Sequence, residues 1–275
     1  MFTLTSPQQE MALVMTAEAC SYRKEAWEAF AEMTSETDEA KIKVVNNRLC
    51  VAAGLYDALS KMPLNSLNTD AVELFEFNTD VCAAMSEVCI FEAEGVVIRN
   101  AATKMSPKVV QKLCADASAR AAHAADLLAR VVGKKANDNL RMTLLLRYCQ
   151  LSKLIYRCSF GVTAARASLE EDKGGIALGF LRAAAPTHEE RKLFKEGNLK
   201  KKMPSFLKAV TAGVAEFEGV LAFVEGKNKM VYFDPVPAQD KLPAVEPANV
   251  SKLIVFTEPE PAQVGVGKSG DCVYM

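Results

Sequence analysis

The sequence predicts an all-α fold: an elongated stack of long antiparallel helices followed by a Pro-rich extended strap. Three observations predict it. Apolar residues recur at three- and four-residue steps through most of the first 230 positions. No run alternates convincingly as a strand would. Six of the eleven prolines fall within the 27 residues from Pro235 to Pro261, where continuous helix is impossible.

The elements follow in order. Ser6 can cap a helix, Pro7 suits its first position, and Gln9 completes a capping box. That helix should reach about Met33, with Met11, Val14, Met15, Ala19, Tyr22, Ala26 and Phe30 on its apolar side. Residues 1–40 hold eight Asp/Glu against two Lys/Arg, so its outer side is acidic. A second helix spans about 38–61, with Val44, Val45, Leu49, Ala52, Ala53, Tyr56 and Leu59 inward. Pro63 and the polar residues to Asn68 form a turn, and a third helix covers about 69–101, weakened late by Gly95. Ser106-Pro107 starts a fourth, which runs to about Val132. A fifth covers about 138–172. A sixth ends near Ala185, with a frayed extension to Lys195, and the last runs from Pro204 to about Gly226. Short turns make neighbours antiparallel. No 34-residue tetratricopeptide repeat is present, although a superhelical stack of hairpins would look similar.

Composition excludes several functions. Half of the 275 residues are hydrophobic, which supports a sizeable core. The 33 basic and 34 acidic residues nearly cancel, against a general nucleic-acid binder. No apolar run approaches the ~18 residues of a membrane span, and no secretory signal opens the chain. Catalysis and metal binding find no support. His123 and His188 have no ligand partners at suitable spacing, and Cys20, Cys50, Cys82, Cys89, Cys114, Cys149 and Cys158 contain no C-x-x-C pair. The cysteines read as reduced core filler. Gly265-x-Gly-Lys-Ser269 echoes a phosphate loop, but position 262 is Ala and no strand precedes it. No cofactor is expected.

The last four residues are Cys272-Val-Tyr-Met275, a C-a-a-X pattern with Met in the position that favours farnesyl. Residues 261–275 are expected to be a flexible tail that presents Cys272 to a protein prenyltransferase. One prenyl chain binds membranes only marginally. Residues 262–271 hold one Lys and one Asp, so a second attraction must come from the folded part, for example the basic 191–208 region.

Asn228-Lys-Met-Val-Tyr-Phe-Asp-Pro-Val-Pro237, then Leu242-Pro243 and Phe256-Thr-Glu-Pro259, resembles the end of the BRO-one domain family, to which Alix belongs. There a last long helix passes into a Pro-rich strap that folds back along the helices. Ser6–Glu10, Ala52-Ala-Gly-Leu-Tyr56, Glu87–Ile90, Lys104–Leu113 and Gly175-Ile-Ala-Leu-Gly-Phe-Leu-Arg182 match in order. The resemblance covers residues 6–260 and is strongest to prenylated members with little beyond the domain. It places the domain at 1–260, its strap at 233–260, and implies a missing or reduced N-terminal part.

The resemblance implies a non-enzymatic adaptor. Its partner would be the C-terminal amphipathic helix of an ESCRT-III subunit of the charged multivesicular body protein four (Snf-seven) type. The site would be a cytoplasmic endosomal membrane, another endomembrane or the nuclear envelope. Contact positions carried over are Val109, Leu113 and Cys89, with Val250 or Leu253 from the strap. Met105 extends the apolar row, and Lys104, Lys108 and Lys112 flank it. On spacing alone, the stripe Val110, Leu113, Ala117, Ala121, Ala124, Leu128 and Val131 reads as core. Tyr232 matches a candidate phosphorylation position; a strap anchor is the simpler role. The alternative function is a prenylated helical scaffold that has lost ESCRT-III binding.

Overall fold

The structure, a computed structural model, describes residues 7–33, 38–63, 78–132 and 140–257. The helices are α1 Pro7–Ala31, α2 Glu39–Lys61, α3 Thr79–Lys104, α4 Pro107–Val132 and α5 Leu140–Leu169. They are followed by α6 Gly174–Ala184, α7 His188–Leu193, α8 Gly197–Lys202 and α9 Pro204–Lys227. A π-helical turn, Asn228–Tyr232, leads into extended chain broken by one 3-10 turn at Gln239–Lys241. The described residues form no strand, so the fold is an all-α stack.

From α1 to α6 each helix packs on its sequence neighbours, and α5, the longest, also carries α7, α8 and α9. Fully buried alanines let the helices approach closely: Ala12 and Ala19 on α1, Ala52 and Ala53 on α2, Ala117, Ala121 and Ala124 on α4. The core runs through the stack in successive groups. Met15, Leu49 and Ile90 join α1–α3, Phe91, Leu128 and Leu146 join α3–α5, and Leu154, Leu181 and Phe217 join α5, α6 and α9.

Four boundaries or faces differ from expectation. The stretch 64–77, including the expected start of the third helix, lies outside the described residues; α3 is capped by Asn78, whose side chain accepts from Val81 N–H at 3.2 Å. The expected fraying after α6 is a separate helix, because Thr187 and Glu190 close a capping box just after Pro186. The helix α8 was not expected at all; buried Leu199 pins it. Met11, Val14 and Val44 point outward, because α1 packs mainly on α2 and Val45, not Val44, takes the inward position on α2.

Helices that are not sequence neighbours are joined by side chains. Glu92 on α3 is buried and accepts from Arg23 of α1 at 2.9 and 2.6 Å, from Trp27 Nε1 at 3.3 Å, and from Tyr148 Oη of α5 at 2.8 Å. The carboxylate is thus fully engaged by charge-assisted bonds. Arg23 is about one-third exposed, which discounts the pair's strength. Glu92→Ala should still cost about 2–4 kcal/mol, since it strands a guanidinium and a buried phenol. Urea unfolding should show this loss, and Glu92→Gln should lose less.

Candidate partner-binding surface

The chain reverses at the end of α9. Phe233 N–H donates to the Asn228 carbonyl at 2.7 Å, closing the π turn, and Phe233 itself takes φ +53°. A left-handed phenylalanine is strained, and Asn228 holds it, its side-chain amide donating to the Asp234 carbonyl at 3.0 Å. Asp234 in turn accepts from Gly175 N–H at the start of α6, at 3.3 Å. Tyr232 lies over Gly174, where a Cβ would meet its ring at 2.5 Å, with Lys227 above the ring at 5.5 Å. Its placement is that of a strap anchor.

From there the strap crosses α6, α4 and α2 in turn. A Cβ on Gly179 would meet Leu242 Cδ2 at 2.7 Å. Ala248 N–H donates to the Lys112 carbonyl of α4 at 3.2 Å, and Ser251 accepts from Asn46 of α2 at 2.8 Å. Ile254 N–H donates to the Cys50 carbonyl at 3.0 Å, directly over Gly54, where a Cβ would fall 1.7 Å from the Ile254 carbonyl oxygen.

The expected contact residues separate into two sets. Met105, Val109 and Val250 are exposed, at 52%, 42% and 53%. Met105 is extended between α3 and α4, and Val109 lies one turn before the carbonyl that receives the strap. Leu253 is half-buried against the α1–α3 core. Leu113 and Cys89 correct the expectation: both are buried, Leu113 with Ala101, Val110 and Cys114, and Cys89 with α1–α3 residues. Leu113 belongs to the inward stripe of α4, as its spacing alone suggested. Burial pushes the Cys89 thiol far above its ordinary range. Lys104 and Lys108 edge the exposed row; Lys104 pairs with Glu39 at 2.8 Å and Lys108 with Glu171. Cys272 lies outside the described residues.

Beneath this surface is a feature that sequence reasoning missed. Glu94 on α3 is fully buried, and neither carboxyl oxygen meets a hydrogen-bond donor. Asp116, Arg120 (Nε at 3.7 Å) and Glu87 surround it. Burial first, and then the Asp116 carboxylate, push the Glu94 carboxyl up to about 9. No sequence signal marks Glu94, which sits in an ordinary helical run. Among the described residues, no group of three or more His, Cys, Asp or Glu is arranged to hold a metal, and no helix is long and apolar enough to cross a membrane.

The BRO1-like domain model matches residues 4–269. The chain belongs to the BRO1-like domain family. Its fold is similar to the solved "ALIX BRO1 CHMP4C complex", with a TM-score of 0.72 and 17% identity over 95% of this chain and 67% of that one. A structure of ALIX with a SIVmac239 late domain gives 0.65 and 15% identity over 90% of this chain and 34% of that one. The structure titled "Structure basis for endosomal targeting by the Bro1 domain" gives 0.63 and 15% identity over 90% and 62%. No curated protein matches. In this BRO1-like domain, the two glycine-bearing stretches that carried the resemblance, Ala52–Tyr56 and Gly175–Arg182, are tracks on which the strap lies.

Two outcomes follow from these contacts. Gly54→Ala ordinarily favours helix by about 1 kcal/mol. Here it should destabilise, and amide exchange should show faster opening at Ile254 while α2 keeps its protection. For Glu94, the folded carboxyl holds its proton more tightly than the unfolded one, which titrates near about pH 4. Its contribution is therefore complete below that value and is lost as pH rises through about 9. Glu94→Gln should flatten the decline of Tm across this window, raising Tm at pH 8 by about 5 °C.

Proposed function

We propose that this BRO1-like domain is a non-enzymatic adaptor for the C-terminal amphipathic helix of an ESCRT-III subunit of the charged multivesicular body protein four type. It acts on the cytoplasmic face of an endosomal or other endomembrane, held there by a prenyl group that a prenyltransferase adds to Cys272. The observation that carries this reading is the exposed apolar row Met105, Val109 and Val250, where the strap meets α4, with lysines along its edge. An amphipathic helix is recognised by such a strip with charged margins. The fold shared with the ALIX domain solved with CHMP4C supports the choice of partner. Leu113 shapes the strip from beneath without touching the guest.

Binding of a synthetic CHMP4-type C-terminal helix, followed by fluorescence polarisation, should weaken at least about ten-fold for Met105→Asp plus Val109→Asp. Both side chains are exposed, so Tm should barely move. Undiminished binding rejects the surface. In cells, Cys272→Ser should shift the protein from membrane to soluble fractions; an unchanged distribution rejects the anchor. The burial of Leu113 and Cys89 narrows the strip and favours one second reading, a prenylated scaffold without ESCRT-III affinity. That protein would fractionate with membranes yet leave the helix unbound.

A further inference from the structure

We propose that the corner formed by α7, α8 and the start of α9 is a docking surface for an anionic lipid bilayer. Residues 189–208 carry seven Lys/Arg and three Asp/Glu. All three acids are engaged: Glu189 with Lys192 at 2.7 Å, Glu190 with Arg157 at 2.6 Å, and Glu196 with Arg147 at 3.0 Å. Arg191 is held by Glu218 at 2.7 Å. Lys195, Lys200, Lys201, Lys202 and Lys208 are exposed and have no ion pair among the described residues. Some cations elsewhere, such as Arg23, Arg48, Arg120 and Lys173, are answered by carboxylates; what marks these five is that they fall together within positions 195–208.

These lysines are displayed by ordered structure. Buried Leu193 and Leu199 fasten α7 and α8 to the stack, Glu190 ties α7 to Arg157 of α5, and the other residues of each short helix are exposed. Beside them, between α7 and α9, is a cleft of about 450 Å³ with Phe194 and Val214 in its wall and His188, Arg191, Lys192 and Lys195 around it. Lys208 lies three residues before Thr211, another wall residue, and so extends the same face of α9. The wall of the cleft is mainly apolar and includes Glu218, and the basic residues around it add to the positive surface.

The kind of partner is indicated by what accompanies the charge. No large hydrophobic residue between positions 188 and 208 is exposed. Protein interfaces centre on buried aromatic and apolar anchors and are poor in lysine. A lysine-rich face without such anchors fits the diffuse negative potential of a phosphatidylserine-containing leaflet, which attracts each nearby cation by a useful increment. This surface is separate from the strip at Val109. It would supply the second attraction that a single prenyl chain needs.

The test uses the full chain carrying Cys272→Ser, so that no lipid anchor contributes. Its co-sedimentation is measured with phosphatidylcholine vesicles, with and without one-third phosphatidylserine. Binding only to the phosphatidylserine vesicles is expected, declining with added salt. Replacing Lys195, Lys200, Lys201, Lys202 and Lys208 by Gln should reduce it at least about ten-fold, with an unchanged circular dichroism spectrum and unchanged affinity for the ESCRT-III helix. Equal binding to both vesicles, no binding to either, or full binding by the five-Gln chain would overturn the proposal. So would capture of polyglutamate by a chain that leaves vesicles unbound, which would point to an acidic protein instead.

Discussion

One buried carboxylate holds together helices that the stack itself leaves apart. A chain of sequential hairpins is nearly one-dimensional, because each helix gains its packing from the helices before and after it. Such a stack is free to bend unless something crosses it. Glu92 crosses it on one side, gathering Arg23 and Trp27 from α1 and Tyr148 from α5 around a single side chain of α3. The cost of burying that charge is offset by four donors, and the arrangement fixes the relative placement of alternate helices.

The strap performs the equivalent task for α2, α4 and α6, by different means. It brings backbone donors to carbonyls of α4 and α2, at Lys112 and Cys50, that also belong to helical ladders. Glycines provide the room where it passes closest, at Gly54 and Gly175. The tie and the candidate binding strip are consequently one structure. The residues that fasten the strap at Ala248 and Ser251 also set where Val250 stands relative to Val109.

Much of this was legible because local rules act locally. The cap-and-proline start of α4, the apolar spacing of α2 and the proline density after Tyr232 all describe what the chain does over a few residues, and they identified helices and strap correctly. Tertiary contacts were less legible. Leu113 lies at the seam between the inward stripe of α4 and its exposed margin, and only packing against Ala101 and Val110 decides that it is core. Cys89 looked available by resemblance but is sealed under α1 and α2. Glu92 and Glu94 are two residues apart on one helix and look alike in sequence. One meets four donors, all from residues more than fifty positions away, and the other meets none. The lysines of 191–208 stood out by composition, while their fastening by Leu193 and Leu199 did not.

The central claim is that the strap and the first turns of α4 make one surface that receives a helical guest. Hydrogen–deuterium exchange of the domain, with and without a saturating CHMP4-type C-terminal helix, tests it most directly. Added protection should be confined to peptides covering 105–112 and 246–255, with the π turn after α9 and the lysine corner unchanged. Protection centred on any other part of the stack, or none at saturation, would contradict the account.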